Sequence, residues 1–177
     1  MILNLPQLAR KTLKGYFNGK KFIPDKKTLE KYKEKQACFV TLTKNGNLRG
    51  CIGNLKARQE LWKDVQENAI NAAIHDFRFS GLTENELGEI KIEVSVLSPP
   101  KKLDAKNPEQ ILDKINKDMG IILKKGPYTA TFLPQVWEQI SDKITFLEQL
   151  SLKAGLNKDA WKNSEILYYK VIIEKED

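Results

Sequence analysis

The chain has 177 residues, 41% of them hydrophobic and 30% charged, with a formal net charge of +7. That length supports one domain with a substantial core, and the balance excludes a disordered or fibrous chain. No apolar run approaches the roughly 20 residues of a membrane-spanning helix, and one histidine with two cysteines excludes a disulfide scaffold or a histidine- and cysteine-rich zinc site.

The charge is uneven. Residues 1–36 hold ten Lys/Arg (Arg10, Lys11, Lys14, Lys20, Lys21, Lys26, Lys27, Lys31, Lys33, Lys35) against Asp25, Glu30 and Glu34, which is the whole excess; the remainder of the chain is neutral. A basic segment interleaved with Tyr16, Phe17, Phe22 and Tyr32 is one signature of an anion- or nucleic-acid-binding face. It is also the signature of a solvated lysine-rich surface, with Tyr16 and Phe17 placed in the core by helical spacing. The start, MILNLPQLARK, has Pro6 and early charges in place of a basic start and an apolar block, so it does not read as a signal peptide. The low cysteine count points to a reducing compartment, the cytoplasm.

Leu5, Leu8, Ala9, Leu13, Tyr16 and Phe17 recur at helical steps behind Pro6, which predicts an amphipathic helix. After a lysine-rich loop or short helix comes ACFVTLT-KNGN-LRGCIG. Asn45-Gly46 between two β-rich runs is a strong signal for a hairpin with a type I′ turn. A two-residue turn pairs Val40 with Cys51, Leu42 with Arg49 and Phe39 with Ile52. It therefore places Cys38, Val40, Leu42, Arg49 and Cys51 on one face, with Phe39, Leu48 and Ile52 on the other. Leu61, Val65, Ala69 and Ala72/Ala73 predict a helix from Glu60 to Ile74, followed by the loop HDFRFSG, whose Phe77 and Phe79 read as anchors on the core. TENE (83–86) has capping-box spacing, and KIEVSVL alternates cleanly until Pro99 and Pro100 stop it.

Asn107-Pro108 opens a further helix. GIIL and TATFL read as strands around Lys125-Gly126, and LPQVWE as a strand-to-helix corner with Trp137 in the core. Ser141 is placed to cap a helix ending at Gly155, and ILYYKVII reads as one final strand. Helices and hairpins without a βαβ rhythm predict an α+β fold, a mostly antiparallel sheet with flanking helices.

The chemistry is concentrated at NLRGCIGNL (47–55). Two glycines inside a strand mark a bulge or a close approach to the backbone. Arg49 carries a fork of donors suited to carboxylate or phosphate. Cys51, two residues on, is a candidate nucleophile or redox thiol with a cationic neighbour, and His75 is the only histidine available as its base. Asp76 and Arg78 read as an ion pair ordering their loop or as groups offered to a ligand. Glu93 and Ser95 alternate onto the exposed side of their strand. Phosphate-loop and dinucleotide fingerprints are missing and cluster-forming cysteines are too few, so no cofactor or metal is expected.

Taken together, FVTLTKNGNLRGCIGNL, HDFRF, IEVSVLSPP, TFLPQVWEQ and KAGL…W resemble the AMMECR1 domain family over nearly the whole chain, in its small AmmeMemoRadiSam system protein A form. The resemblance implies a single domain over 1–177 built from two unequal, interleaved subdomains, with the motif near a cleft. It implies as partners a Memo-like protein and a radical S-adenosylmethionine enzyme, and it supplies no reaction. The candidate ligand-binding set is Arg49, Gly50, Cys51, Gly53, Asp76, Arg78, Glu93, Ser95 and Gln135. Three functions are compatible with it: a binding or accessory protein that holds a small anionic ligand or a partner on the LRGCIG strand, an enzyme using Cys51, and an RNA-binding protein using the basic N-terminal third.

Overall fold

The structure, a computed structural model, describes residues 2–176 and divides into two compact units, one reaching to Pro99 and resuming at Ile172, the other running from Pro100 to Val171. No helix among the described residues is long and apolar enough to cross a membrane.

The first unit opens with α1 (Leu5–Phe17), whose capping box uses Asn4 and Gln7, and with the short α2 (Lys26–Lys31), capped by Asp25. These caps satisfy N–H groups that a helix start leaves without partners. Strands β1 (Ala37–Lys44) and β2 (Asn47–Gly53) form the hairpin, and both turn residues have positive φ, +52° at Asn45 and +79° at Gly46, as a type I′ turn demands. Next come α3 (Leu61–Ile70), a π-helical turn (Asn71–His75), a 3-10 turn (Glu84–Gly88) behind the Thr83/Glu86 capping box, and β3 (Ile90–Leu97).

The second unit contains β4 (Lys101–Lys102), α4 (Pro108–Lys114), β5 (Gly120–Lys125), β6 (Tyr128–Phe132), a 3-10 turn (Pro134–Glu138), α5 (Lys143–Lys153), another 3-10 turn (Ala160–Asn163) and β7 (Glu165–Tyr169). Strand β8 (Val171–Lys175) returns the chain to the first unit. The sheets are β2-β1-β3-β8 in the first unit and β4-β7-β5-β6 in the second. The pairings β1 with β2, β1 with β3, β4 with β7, and β5 with β6 and β7 are all antiparallel. The α+β reading is therefore correct.

Several expectations are corrected. The 166–173 run is two strands in different sheets, separated at Lys170. Asp142, not Ser141, caps α5, because its carboxylate is the one within 2.7 Å of the Thr145 N–H. Tyr16 is 43% exposed, since α1 buries only one stripe, which ends with Thr12 and Leu13.

The hairpin register is corrected as well. Thr43 pairs with Leu48 and Lys44 with Asn47, as the turn dictates. Beyond them Leu42 lies opposite Gly50, Thr41 opposite Cys51 and Val40 opposite Ile52. Arg49 is thus the extra residue of a β-bulge, which moves everything after it to the other face. Cys38, Val40 and Leu42 face the helices together with Ile92, Val94 and Val96. Cys51 lies on the opposite face beside Thr41 and Glu93, so the two cysteines do not share a side. Ile52 turns inward against the core.

Core packing explains both motif glycines. A Cβ on Gly50 would stand 2.1 Å from the Ala72 carbonyl oxygen, and one on Gly53 would stand 2.4 Å from the Cys38 carbonyl oxygen and 2.3 Å from the Phe39 ring. The close approach inferred at Gly50 is made by the chain's own π-helical turn. The link from β2 to α3 is fixed by the buried Asp64 carboxylate, which accepts from the Cys38 N–H and thiol, Asn54, Gln59 and Asn68.

Gly50→Ala is expected to destabilise the protein by about 1–3 kcal/mol, the usual cost of overpacking, because a main-chain oxygen cannot rotate away. Urea unfolding would measure it, and an unchanged midpoint would refute the packing role.

Candidate functional site

The geometry around Cys51 starts from the free edge of β2. An edge strand presents unpaired N–H and C=O groups that a folded chain must cover. Here the loop after the π-helical turn covers them. Asp76 Oδ2 accepts the Cys51 N–H at 2.9 Å, and Arg78 Nη2 donates to the Cys51 carbonyl at 3.3 Å. The two side chains stand in for a neighbouring strand at that residue.

They are also joined to each other. Asp76 Oδ1 accepts from Arg78 Nε (2.9 Å) and from the Arg78 backbone N–H (3.2 Å), while Oδ2 accepts from Nη2 (2.7 Å). Asp76 is 4% exposed. Its hydrogen bonds from Arg78 hold the carboxyl well below its usual range, at about 2, with the Cys51 N–H and the Arg78 N–H acting in the same direction. Burial opposes this and loses. Arg78 keeps 45% of its side chain exposed, and among the described residues its Nη1 has no partner.

Phe77, between them, is 95% exposed. It does not anchor on the core as the sequence suggested, because Asp76 and Arg78 already tie down both flanks of the turn and point the intervening side chain outward. Phe79 is half-buried, with the Arg78 guanidinium 5.5 Å from its ring centre.

Arg49 is already engaged. It grips Glu86 through Nε and Nη2, both at 3.1 Å, and donates to the Ser80 and Gly81 carbonyls at 2.9 and 3.4 Å. Its side chain is 14% exposed. Glu86 also closes the capping box with Thr83 and receives Lys44 at 3.2 Å. Arg49 leads that donor set, which lowers the Glu86 carboxyl to about 2. The fork read as ligand-binding ties the bulge to the 3-10 turn.

Cys51 is half-buried, and burial pushes its thiol above the ordinary value. The Thr41 hydroxyl, donating to Sγ at 3.3 Å, and the charge of Arg78 pull the other way without overcoming it. Burial thus disfavours the thiolate, which is the nucleophilic form of the group. His75 is exposed at the end of the π-helical turn. Glu93 pairs with Lys175 at 2.9 Å and accepts from Ser95. Ser95 is buried, contrary to its expected exposure.

The structure thus joins Cys51, Asp76 and Arg78 directly and sets Glu93, Ser95 and Gly53 on the Cys51 face of the sheet, while Gly50 faces the helical turn and Arg49 is held by Glu86. Gln135 is half-buried on the 3-10 turn of the second unit. Among the described residues no three His, Cys, Asp or Glu side chains converge to hold a metal ion. Sequence reasoning missed Glu86 as the partner of Arg49. Its capping-box spacing was visible, but not its second role.

Comparison with known proteins places these residues in context. A family model described as AMMECR1 matches residues 6–173. A protein of Nanoarchaeum equitans is 40% identical over 99% of this chain and 100% of its own length. One of Methanopyrus kandleri is 42% identical over 93% of this chain and 82% of its own. The crystal structure of an uncharacterised protein from Pyrococcus horikoshii superimposes with a TM-score of 0.88 at 33% identity, covering 98% of this chain and 90% of that one.

Two outcomes are expected from this geometry. Asp76→Asn should cost about 1.5–3 kcal/mol at neutral pH, the range for hydrogen bonds to a charged group. A depressed carboxyl stabilises the fold above its unfolded value of 3.8 and loses that contribution as pH falls through about 2. The gap between wild type and variant in thermal melts should therefore close between pH 4 and pH 2; a gap independent of pH would refute the assignment. In native protein, alkylation at Cys51 should be slow at pH 7 and accelerate only in the alkaline range, with Cys51→Ala labelling negligibly until unfolded because Cys38 is buried. Rapid neutral-pH labelling would show a thiolate.

Proposed function

The chain belongs to the AMMECR1 family, and on that premise we propose that it is a binding or accessory protein whose working surface is the edge of β2 together with the Asp76–Phe79 loop. The observation that carries this reading is Phe77, 95% exposed on a loop held at both flanks by one buried carboxylate. A single exposed apolar side chain is ordinary. A fully exposed ring on a turn fixed by four hydrogen bonds to that carboxylate is pre-organised for insertion, because little conformational entropy remains to be lost on binding. Aromatic and Arg side chains are also the groups enriched in interface cores.

Arg78 stands beside that ring with donors to offer, which makes it, and not Arg49, the cation available to an anionic group. The site accordingly suits an apolar pocket bordered by a carboxylate or phosphate on a partner. The partners proposed are the Memo-like protein and the radical S-adenosylmethionine enzyme of an AmmeMemoRadiSam system. The burial of Cys51, which disfavours its thiolate, supports this reading over nucleophilic catalysis.

Calorimetric titration against each of those two proteins from one genome tests it. Phe77→Ala should weaken binding about tenfold or more, equivalent to roughly 1.4 kcal/mol, with an unchanged melting temperature. Failure of both titrations, or wild-type affinity in Phe77→Ala, would overturn the proposal.

A further inference from the structure

A second site lies elsewhere on the first unit, in a groove of about 670 Å³ between the end of α1, the loop after it and the outer face of α3. Its size falls within the range of small-molecule sites, roughly 300–1,000 Å³. We propose that this groove binds a nucleoside phosphate, with the base held between aromatic side chains and the phosphate on Lys20 and Lys21.

The walls are Tyr16, Phe22 and Trp62. Three rings line one groove, with Lys11 5.7 Å from the Phe22 centre and Lys63 5.1 Å from that of Trp62. Both lysines are flexible side chains that a stacking base can displace, for a gain of about 1–3 kcal/mol per base. Main-chain bonds at the end of α1 fix the loop that lines the groove. The Lys20 N–H donates to the Gly15 carbonyl at 2.8 Å and the Gly19 N–H to that of Tyr16 at 3.0 Å. A Cβ on Gly15 would lie 2.6 Å from the Lys20 carbonyl oxygen, so glycine there lets the loop settle against α1. Gly19, at φ +64°, turns the chain to present the lysine pair.

One polar group of the lining is firmly fixed. Gln66 Nε2 donates to Thr12 Oγ1 and to the Phe22 carbonyl, both at 3.0 Å, which locks the amide in the groove. Its Oε1 makes no hydrogen bond among the described residues and can accept from an exocyclic amino group, such as that of adenine. Lys20 and Lys21 have no acidic partner among the described residues, whereas Lys63 pairs with Glu60 at 2.8 Å and sits 5.1 Å from the centre of the Trp62 ring. The lysine pair is thus the available positive charge of an aromatic groove whose one carboxylate, Glu67, is taken up by Gln59 at 2.7 Å. A planar base joined to an anion uses both the rings and the lysines, and neither a neutral aromatic nor a bare phosphate does.

Trp62 makes the proposal directly readable. Trp137 and Trp161 are each 2% exposed, so the accessible tryptophan is the one in the groove. Titration with AMP, corrected for absorption, should quench Trp62 emission, and calorimetry should give the same affinity. Adenosine and inorganic phosphate should each bind far more weakly. Lys20→Ala/Lys21→Ala, two exposed changes that leave the core untouched, should weaken AMP about tenfold, and Phe77→Ala should leave it unchanged. Several results would overturn the proposal: no quenching and no heat at millimolar AMP, an affinity unaffected by the double substitution, phosphate binding as tightly as AMP, or binding only of oligonucleotides.

Discussion

The close approach of the Ala72 carbonyl to Gly50 is the contact on which the rest of the site depends. Because Gly50 has no side chain, the π-helical turn at the end of α3 lies directly on β2. The turn then ends beside the free edge of that strand, and Asp76 is delivered to the Cys51 N–H. A π-turn inserts a residue into a helix and redirects the chain beyond it, and such turns are uncommon and frequent at functional sites. Here the redirected segment is the loop that covers the sheet edge and carries Phe77.

Two carboxylates organise the charges around that contact. Asp76 fixes Arg78, and Glu86 fixes Arg49, and each is lowered to about 2 by its arginine. The two pairs differ in what they leave exposed. Glu86 and the carbonyls of Ser80 and Gly81 occupy the Arg49 fork. Asp76 occupies one side of Arg78 and leaves the other accessible. The division of labour between two superficially similar arginines therefore comes from how many acceptors surround each.

The LRGCIG motif, which in sequence looks like a surface prepared for a ligand, is largely internal architecture. Gly50 and Gly53 make room for the chain's own backbone and the Phe39 ring, and Arg49 ties the bulge to the 3-10 turn. What the motif contributes to recognition is a rigid edge on which an exposed loop is mounted. The aromatic groove beside α1 is built on the same logic, with Gly15 and Gly19 shaping a loop that presents Lys20 and Lys21.

The sequence by itself determined the local pieces: the Asn45-Gly46 turn, the Asn107 cap, the capping box at Thr83 and Glu86, and the strand stop at Pro99-Pro100. Each depends on groups within about four residues of one another, where backbone sterics and capping bonds act. The tertiary structure decided the bulge at Arg49, the face of Cys51, the exposure of Phe77 and the division of the last strand at Lys170. The bulge and the site around Cys51 rest on contacts between residues far apart in the chain, such as Gly50 with Ala72 and Cys51 with Asp76. A two-residue turn fixes a register only until a distant element makes an extra residue in one strand the better fit, and no local pattern records that element.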